Sequence, residues 1–279
     1  MTTNYQGDII IQRRDGKTYD LEKEGIRVIT FDPPSPNFQH TYTQTGDYGA
    51  DLTGTQVQQT TIPLIFDVVA RDNYDYELQR LKVLQIFSSN EPFYVINMRT
   101  PFLRWKVIAE AFTYPRLGNY WKAKSVSVNL VCYEGFAEST ATTQDPFTFD
   151  GGTFGIGMGI PFDTPRYSFK NQPKFQFYNP SVIPLLANER PVTLSFKGNA
   201  PNGITIANKT TGQSFKYKHA LTKSNDFKLV GLIPIVDGSQ RFGNTYSDRS
   251  FIDYAQGYNT MEIIGSTDFT LSFNTRFYY

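Results

Sequence analysis

The sequence predicts a mainly β protein with one α-helix in its first half. Three observations carry this. Short runs of alternating apolar and polar residues recur along nearly the whole chain, the period at which successive side chains of a strand point to opposite faces. A helical spacing of apolar residues is found in one place, Asp72–Asn90. No helical stripe of any length follows residue 136, which favours an all-β second half of the sandwich or jelly-roll kind.

The elements follow in order. Ile62–Val69 (IPLIFDVV) is a continuous apolar run, suited to a strand buried on both faces. In DNYDYELQRLKVLQIFSSN, Tyr74, Leu78, Leu81, Leu84 and Phe87 recur at spacings of four and three, one apolar stripe. Asp72 is placed to cap this helix, Asp75 and Glu77 put negative charge in its first turns, and Pro92 closes its far end. Arg104–Ala109 alternates, as does Ser125–Tyr133, where Val126, Val128, Leu130 and Cys132 share a face and Cys132 reads as a small core hydrophobe. Later, Val192, Leu194 and Phe196 alternate with polar residues, and so do Phe269, Leu271 and Phe273. Ile204 and Ile206, the turn NKTTG, then Phe215 and Tyr217 read as a hairpin.

Two stretches have no period. Asp32–Gln59 is long and polar, and a loop longer than about 15 residues inside a compact domain is functional or disordered. Glu138–Pro165 is rich in Gly, Thr and Ser. It divides the chain into domains at 1–137 and 166–279, with 138–165 as linker.

Composition removes several function classes. The 279 residues carry 27 Lys plus Arg against 26 Asp plus Glu, without the basic excess of a nucleic-acid binder. One Cys allows no intramolecular disulfide, and the two His, His40 and His219, have no metal-ligand spacing. Neither a metal nor a cofactor is expected. No apolar run reaches the roughly 18 residues of a membrane helix, and the start MTTNYQGDII lacks signal-peptide character, so a soluble protein made in a cytoplasm is expected. Aromatic residues make up 15% of the chain, and 16 of the 23 Phe lie in residues 136–279 while both Trp lie before them.

Motifs that suggest chemistry have plainer explanations. Gly151–Gly159 (GGTFGIGMG) lacks the Lys-Ser/Thr of a phosphate loop, and Pro161 denies it a following helix. Asp47 and Asp51 lack the distal Glu of a calcium loop and suit a turn. Asp248 and Asp253 are a carboxylate pair in a loop, which by itself is no glycosidase signal. Ser239 lacks the glycine of a nucleophile elbow. Asn208-Lys-Thr210 fits a glycosylation acceptor only formally. Tyr246, Tyr254 and Tyr258 are candidate outer-face aromatic contacts, for sugar stacking or for protein, though the second half has no Trp to serve as a sugar platform.

The order of these features resembles the distal tail (Dit) proteins of long-tailed phages infecting Gram-positive bacteria. The first 135 residues match in IPLIFDVV, Arg71-Asp72, the helix with Leu81 and Leu84, EPFYVI, RWKV and SVSVNLVCYEGFAES. The later part matches a galectin-like second domain in TLSFKGNAPNGITIANKTTGQSF, FIDYAQGYNTMEIIGS and SFNTRFYY.

The resemblance implies an N-terminal β-sandwich with one helix and an extended arm, followed by a galectin-like β-sandwich. It implies a structural, non-enzymatic virion protein that forms a homohexameric ring at the phage tail tip. The C-terminal domains of such rings project outward, and DNA passes through the lumen without sequence-specific contact. Expected partners are the tail tube protein, the tape measure protein, the tail-associated lysin and receptor-binding or upper-baseplate proteins. Asp32–Gln59 then becomes the arm, with Pro34, Phe38, Tyr42 and Tyr48 as inter-subunit contacts, because backbone draped over a neighbour finds hydrogen-bond partners. The competing reading is a carbohydrate-binding adhesion module that engages host cell-wall polysaccharide.

Overall fold

A computed structural model describes residues 9–118, 120–148 and 153–279. The chain is mainly β and divides into two compact units, residues 1–138 and 139–279. The first eight residues lie outside the described part, so the reading of the chain's start has no structural counterpart.

The first unit contains β1 (Ile9–Gln12), β2 (Thr18–Asp20), β3 (Ile26–Phe31), β4 (Asn37–Gln44), β5 (Ala50–Gln58) and β6 (Thr60–Val69). Then come α1 (Asn73–Ile86), β7 (Phe93–Asn97), β8 (Leu103–Ala109) and β9 (Lys122–Cys132). One hydrogen-bonded path runs β2-β1-β7-β8-β9-β6-β3. Its two ends share a core: Ile9, Ile11, Phe93 and Val95 belong to the same buried cluster as Leu64, Phe66, Val126 and Val128. Cys132 is part of it, as its place in the alternation predicts. At one margin, the guanidinium of Arg104 donates to Glu138 and lies 3.8 Å from the centre of the Tyr94 ring.

Strand β6 corrects one expectation. Ile62, Leu64, Phe66 and Val68 are buried, while Pro63, Ile65 and Asp67 are only half-buried and Val69 is exposed. The strand is therefore covered on one face. Its two edges pair with β3 and β9, and its opposite face is only half-buried.

In the second unit, β10 (Glu138–Ser139) marks the boundary, followed by β11 (Ser168–Lys170), β12 (Lys174–Asn179), β13 (Thr193–Gly198), β14 (Ile204–Asn208) and β15 (Gln213–Tyr217). The rest are β16 (Phe227–Val230), β17 (Ile233–Val236), β18 (Ser239–Gln240), β19 (Gly257–Ile264) and β20 (Phe269–Asn274). Two antiparallel sheets form, β11-β20-β13-β16-β17-β18 and β12-β19-β14-β15. Aromatic rings fill the space between them: Phe169 and Phe175 stack at 4.0 Å, Phe177 meets Phe273 at 4.9 Å, and Tyr217 meets Phe227 at 5.1 Å. The hairpin expected around NKTTG is β14–β15, with Ile206 opposite Phe215.

The stretch expected as a linker, 138–165, contributes to this unit in its described residues. Ser139 donates its backbone N–H to Phe277 O at 2.7 Å, and Thr143 donates its hydroxyl to Phe273 O at 2.6 Å. Phe154 and Met158 are buried, and Phe147 stacks on Phe154 at 4.4 Å. Small residues around two anchoring apolar side chains let an irregular segment follow a core without a strand's period. Gly151 and Gly152 of the glycine-rich motif lie outside the described residues.

Candidate interaction surface

The aperiodic stretch Asp32–Gln59 is a two-stranded antiparallel ribbon, β4 with β5. The ribbon is amphipathic. Phe38 pairs with Val57, His40 with Thr55 and Tyr42 with Leu52, all on one face. Asn37, Gln39, Thr41 and Thr43 form the other, with Gln58, Gln56, Gly54 and Asp51 as their partners. A register shift between Thr41 and Tyr42 leaves Thr53 as an extra residue in β5, and its hydroxyl donates to Thr41 O at 3.1 Å. Within the apolar face, His40 Nδ1 and Thr55 Oγ1 are 2.9 Å apart.

This ribbon has almost no core beneath it. All of β4 is exposed, as is β5 apart from Gly54 and Gln58. The expected contact residues Pro34, Phe38, Tyr42 and Tyr48 are all exposed, together with Leu52 and Val57. Only the base is anchored: the Phe38 ring lies 6.5 Å from that of Phe136, edge to face, and Val57 sits against Gly135. An isolated two-stranded ribbon is marginal in water. A ribbon with four large apolar side chains on one exposed face presents a surface to be covered.

Helix α1 supplies a second such surface and corrects the sequence reading. It is capped as expected, Asp72 accepting the Asp75 N–H at 2.8 Å. Its buried residues, however, are Tyr76, Val83 and Ile86. The predicted stripe points the other way: Tyr74 is 76% exposed, Leu78 48%, Leu81 57% and Leu84 41%. At about 100° per residue the two sets lie on opposite sides of the helix. Phe87 is buried, but it lies past the end of the helix, stacked on Phe66 at 5.7 Å. Both sides of α1 are thus apolar, and the core of the first unit takes the one with Tyr76, Val83 and Ile86.

In the second unit the three tyrosines expected on an outer face divide. Tyr254 is 4% exposed, its ring 4.6 Å from that of Phe177. It is a core residue, placed there because Leu185 and Tyr254 exchange backbone hydrogen bonds. Burial raises its phenol pKa far above the usual range. Tyr246 is half-buried between His219, at 4.8 Å, and the guanidinium of Arg241. Tyr258 is exposed and packs against Tyr178 at 4.6 Å. It shares the outward side of β12-β19-β14-β15 with Gln176, Thr260 and Glu262. Lys209 and Lys174 flank Glu262 there, and the hydrogen bond from Lys209 holds its carboxyl below the usual value.

The carboxylate pair has structural partners. Asp248 accepts from the Lys216 and Ser250 N–H groups. Asp253 accepts from Ala187 N–H and Gln213 Nε2, each at 2.8 Å. Asn208 is buried and donates to Asp253 O and Asn259 Oδ1, which closes it to glycosylation. Among the described residues, no group of three or more His, Cys, Asp or Glu could hold a metal ion, and no helix is long and apolar enough to cross a membrane.

Comparison with known proteins places this arrangement. Residues 14–132 match the model of the phage tail protein RIFT-related domain. The crystal structure of the Dit protein of phage SPP1, described as a paradigm of hub adsorption apparatus in Gram-positive infecting phages, superposes with a TM-score of 0.68. The match covers 96% of this chain and 99% of that one at 12% identity. Chains of the phage P2 baseplate in its activated conformation, with Ca and with Sr, give TM-scores of 0.46 and 0.49 at 9% identity, each over 96% of this chain and 97% of the other. Curated proteins compared by sequence gave no match. Residues 14–132 therefore resemble the phage tail RIFT-related domain, and the chain has the fold of the SPP1 Dit protein.

Proposed function

We propose that the protein assembles as a homohexameric ring at the distal tip of the tail and serves there as a hub. The ring joins the tail tube to the baseplate and host-adsorption apparatus. Its partners are the tail tube, tape measure and tail-associated lysin proteins, with receptor-binding or upper-baseplate proteins attached around it, and DNA passes through its lumen. It is made in the host cytoplasm and acts in the virion without catalysing a reaction. The observation that carries this reading is the β4–β5 ribbon, which exposes Phe38, Tyr42, Leu52 and Val57 together on one face, a surface that a neighbouring chain would cover. A ring built from one repeated contact is a closed heterologous assembly, and a net charge of +1 per chain avoids repulsion around it. Negative-stain images of the purified protein test the proposal: six-fold rings are expected, and a uniform population of single chains contradicts it.

A second reading has one observation in its favour. The exposed Tyr258, with Gln176, Thr260 and Glu262 beside it, is a flat polar surface with an aromatic platform, the chemistry that stacks and hydrogen-bonds a sugar ring. Binding of host cell-wall polysaccharide by the full chain, lost in Tyr258→Ala, supports an added adhesion role. Binding no tighter than millimolar leaves the hub role alone.

A further inference from the structure

The first unit carries two exposed apolar surfaces that its own fold leaves uncovered: the Phe38–Tyr42–Leu52–Val57 face of the ribbon and the Tyr74–Leu78–Leu81–Leu84 stripe of α1. We propose that they cover each other between chains, so that α1 of one copy is the seat for the β4–β5 ribbon of the next. The proposal rests on the ring reading above and assigns the face that receives the arm.

The two surfaces are not partners within one chain. The ribbon and the helix are attached to opposite ends of β6, the ribbon before Thr60 and the helix after Val69. Ten strand residues at about 3.4 Å each hold these attachment points roughly 30 Å apart. Both surfaces remain exposed in the folded chain, so neither is covered by the other.

Their dimensions agree. Tyr74 to Leu84 is ten residues of helix, about 15 Å at 1.5 Å per residue. Phe38 to Tyr42 is four residues of strand, about 14 Å. Two adjacent strands about 4.8 Å apart form a floor as broad as one helical stripe. Each side brings four large apolar side chains that are between 38% and 76% exposed. Covering them supplies the apolar centre of an interface, and the polar margins of the ribbon supply the rest of the roughly 800 Å² per partner of a standard one.

The pairing also explains why a helix with apolar residues on both sides remains compatible with a soluble chain. Tyr76, Val83 and Ile86 serve the unit's own core, and the opposite stripe serves the neighbour's arm. Since every copy has one ribbon and one helix, the contact is heterologous and propagates around a ring. A second copy is the occupant favoured here, because the complementary face is found on the chain itself.

The test uses the full chain. Its mass is first measured by light scattering, which establishes whether an assembly is present at all. Tyr42→Cys and Leu81→Cys are then combined; the natural Cys132 is buried and stays out of reach of the reagent. A short bismaleimide is expected to give a covalent ladder of chains from the double variant and none from either single variant. Leu81→Lys, made alone, is expected to weaken association at least about tenfold while leaving the melting of the dissociated chain unchanged. An intact assembly that neither cross-links nor responds to Leu81→Lys overturns the seat and leaves the ring standing. An unaltered chain that is monomeric at every concentration overturns the ring and the seat together.

Discussion

Val57 and Gly135 are in such close contact that a Cβ on Gly135 would lie 2.5 Å from Val57 Cγ1. Gly135 also has φ +76°, in the left-handed region that residues with a Cβ enter at a cost. The contact fixes the base of the ribbon to the turn after β9. Gly135→Ala is expected to destabilise the first unit by about 1–3 kcal/mol, with faster proteolysis of the ribbon. Unchanged melting together with an unchanged cleavage pattern would show that the base is not anchored there.

The two sides of α1 give opposite expectations for similar chemistry. Ile86→Ala empties part of a packed core and is expected to cost about 2–5 kcal/mol. Leu81→Ala removes an exposed side chain and is expected to stay within about 0.5 kcal/mol in the dissociated chain. Denaturant unfolding of both variants at low protein concentration checks this, and equal losses would mean that the stripe is buried in the single chain.

Asp248 sets an acid limit on the second unit. Its partial burial opposes the charge, but hydrogen bonds from the Ser250 hydroxyl and from the Lys216 and Ser250 N–H groups outweigh this and hold its pKa below the ordinary 3.8. A carboxyl whose pKa is lower in the folded state adds stability that is complete above its unfolded value and disappears as pH falls through the folded one. Its contribution is expected to be constant from neutral pH to about pH 5 and to fade below 3.8. Asp248→Asn is expected to be less stable at pH 7 and to approach the unaltered protein below pH 3.8. Parallel stability curves down to the acid limit would remove Asp248 from the account.

How much of this was legible in the sequence depended on whether a residue's neighbours kept a simple period. Leu194, Phe196, Phe269, Leu271 and Phe273 alternate without interruption, and all are buried in the second unit. The ribbon was hidden because the extra residue Thr53 puts Leu52 and Val57 out of phase with each other, so that no period of two spans β5. The helix was found, but not its orientation: Tyr74, Leu78, Leu81 and Leu84 are one apolar set and Tyr76, Val83 and Ile86 another, and spacing does not say which side a sheet will cover. Tyr254 looked like its exposed neighbours in a loop, and only the long-range exchange with Leu185 draws it inward. The contact candidates Phe38, Tyr42 and Tyr48 follow from family resemblance combined with the missing period, whereas the α1 stripe is a surface only by its exposure in the folded chain.

On the proposed reading, the ribbon holds neighbouring chains in a ring. Light scattering of the unaltered protein, compared with a variant lacking Pro34–Thr55, is the decisive experiment. Six times the 31.8 kDa chain mass is expected for the first and a single chain mass for the second. A hexamer that survives loss of the ribbon would contradict it.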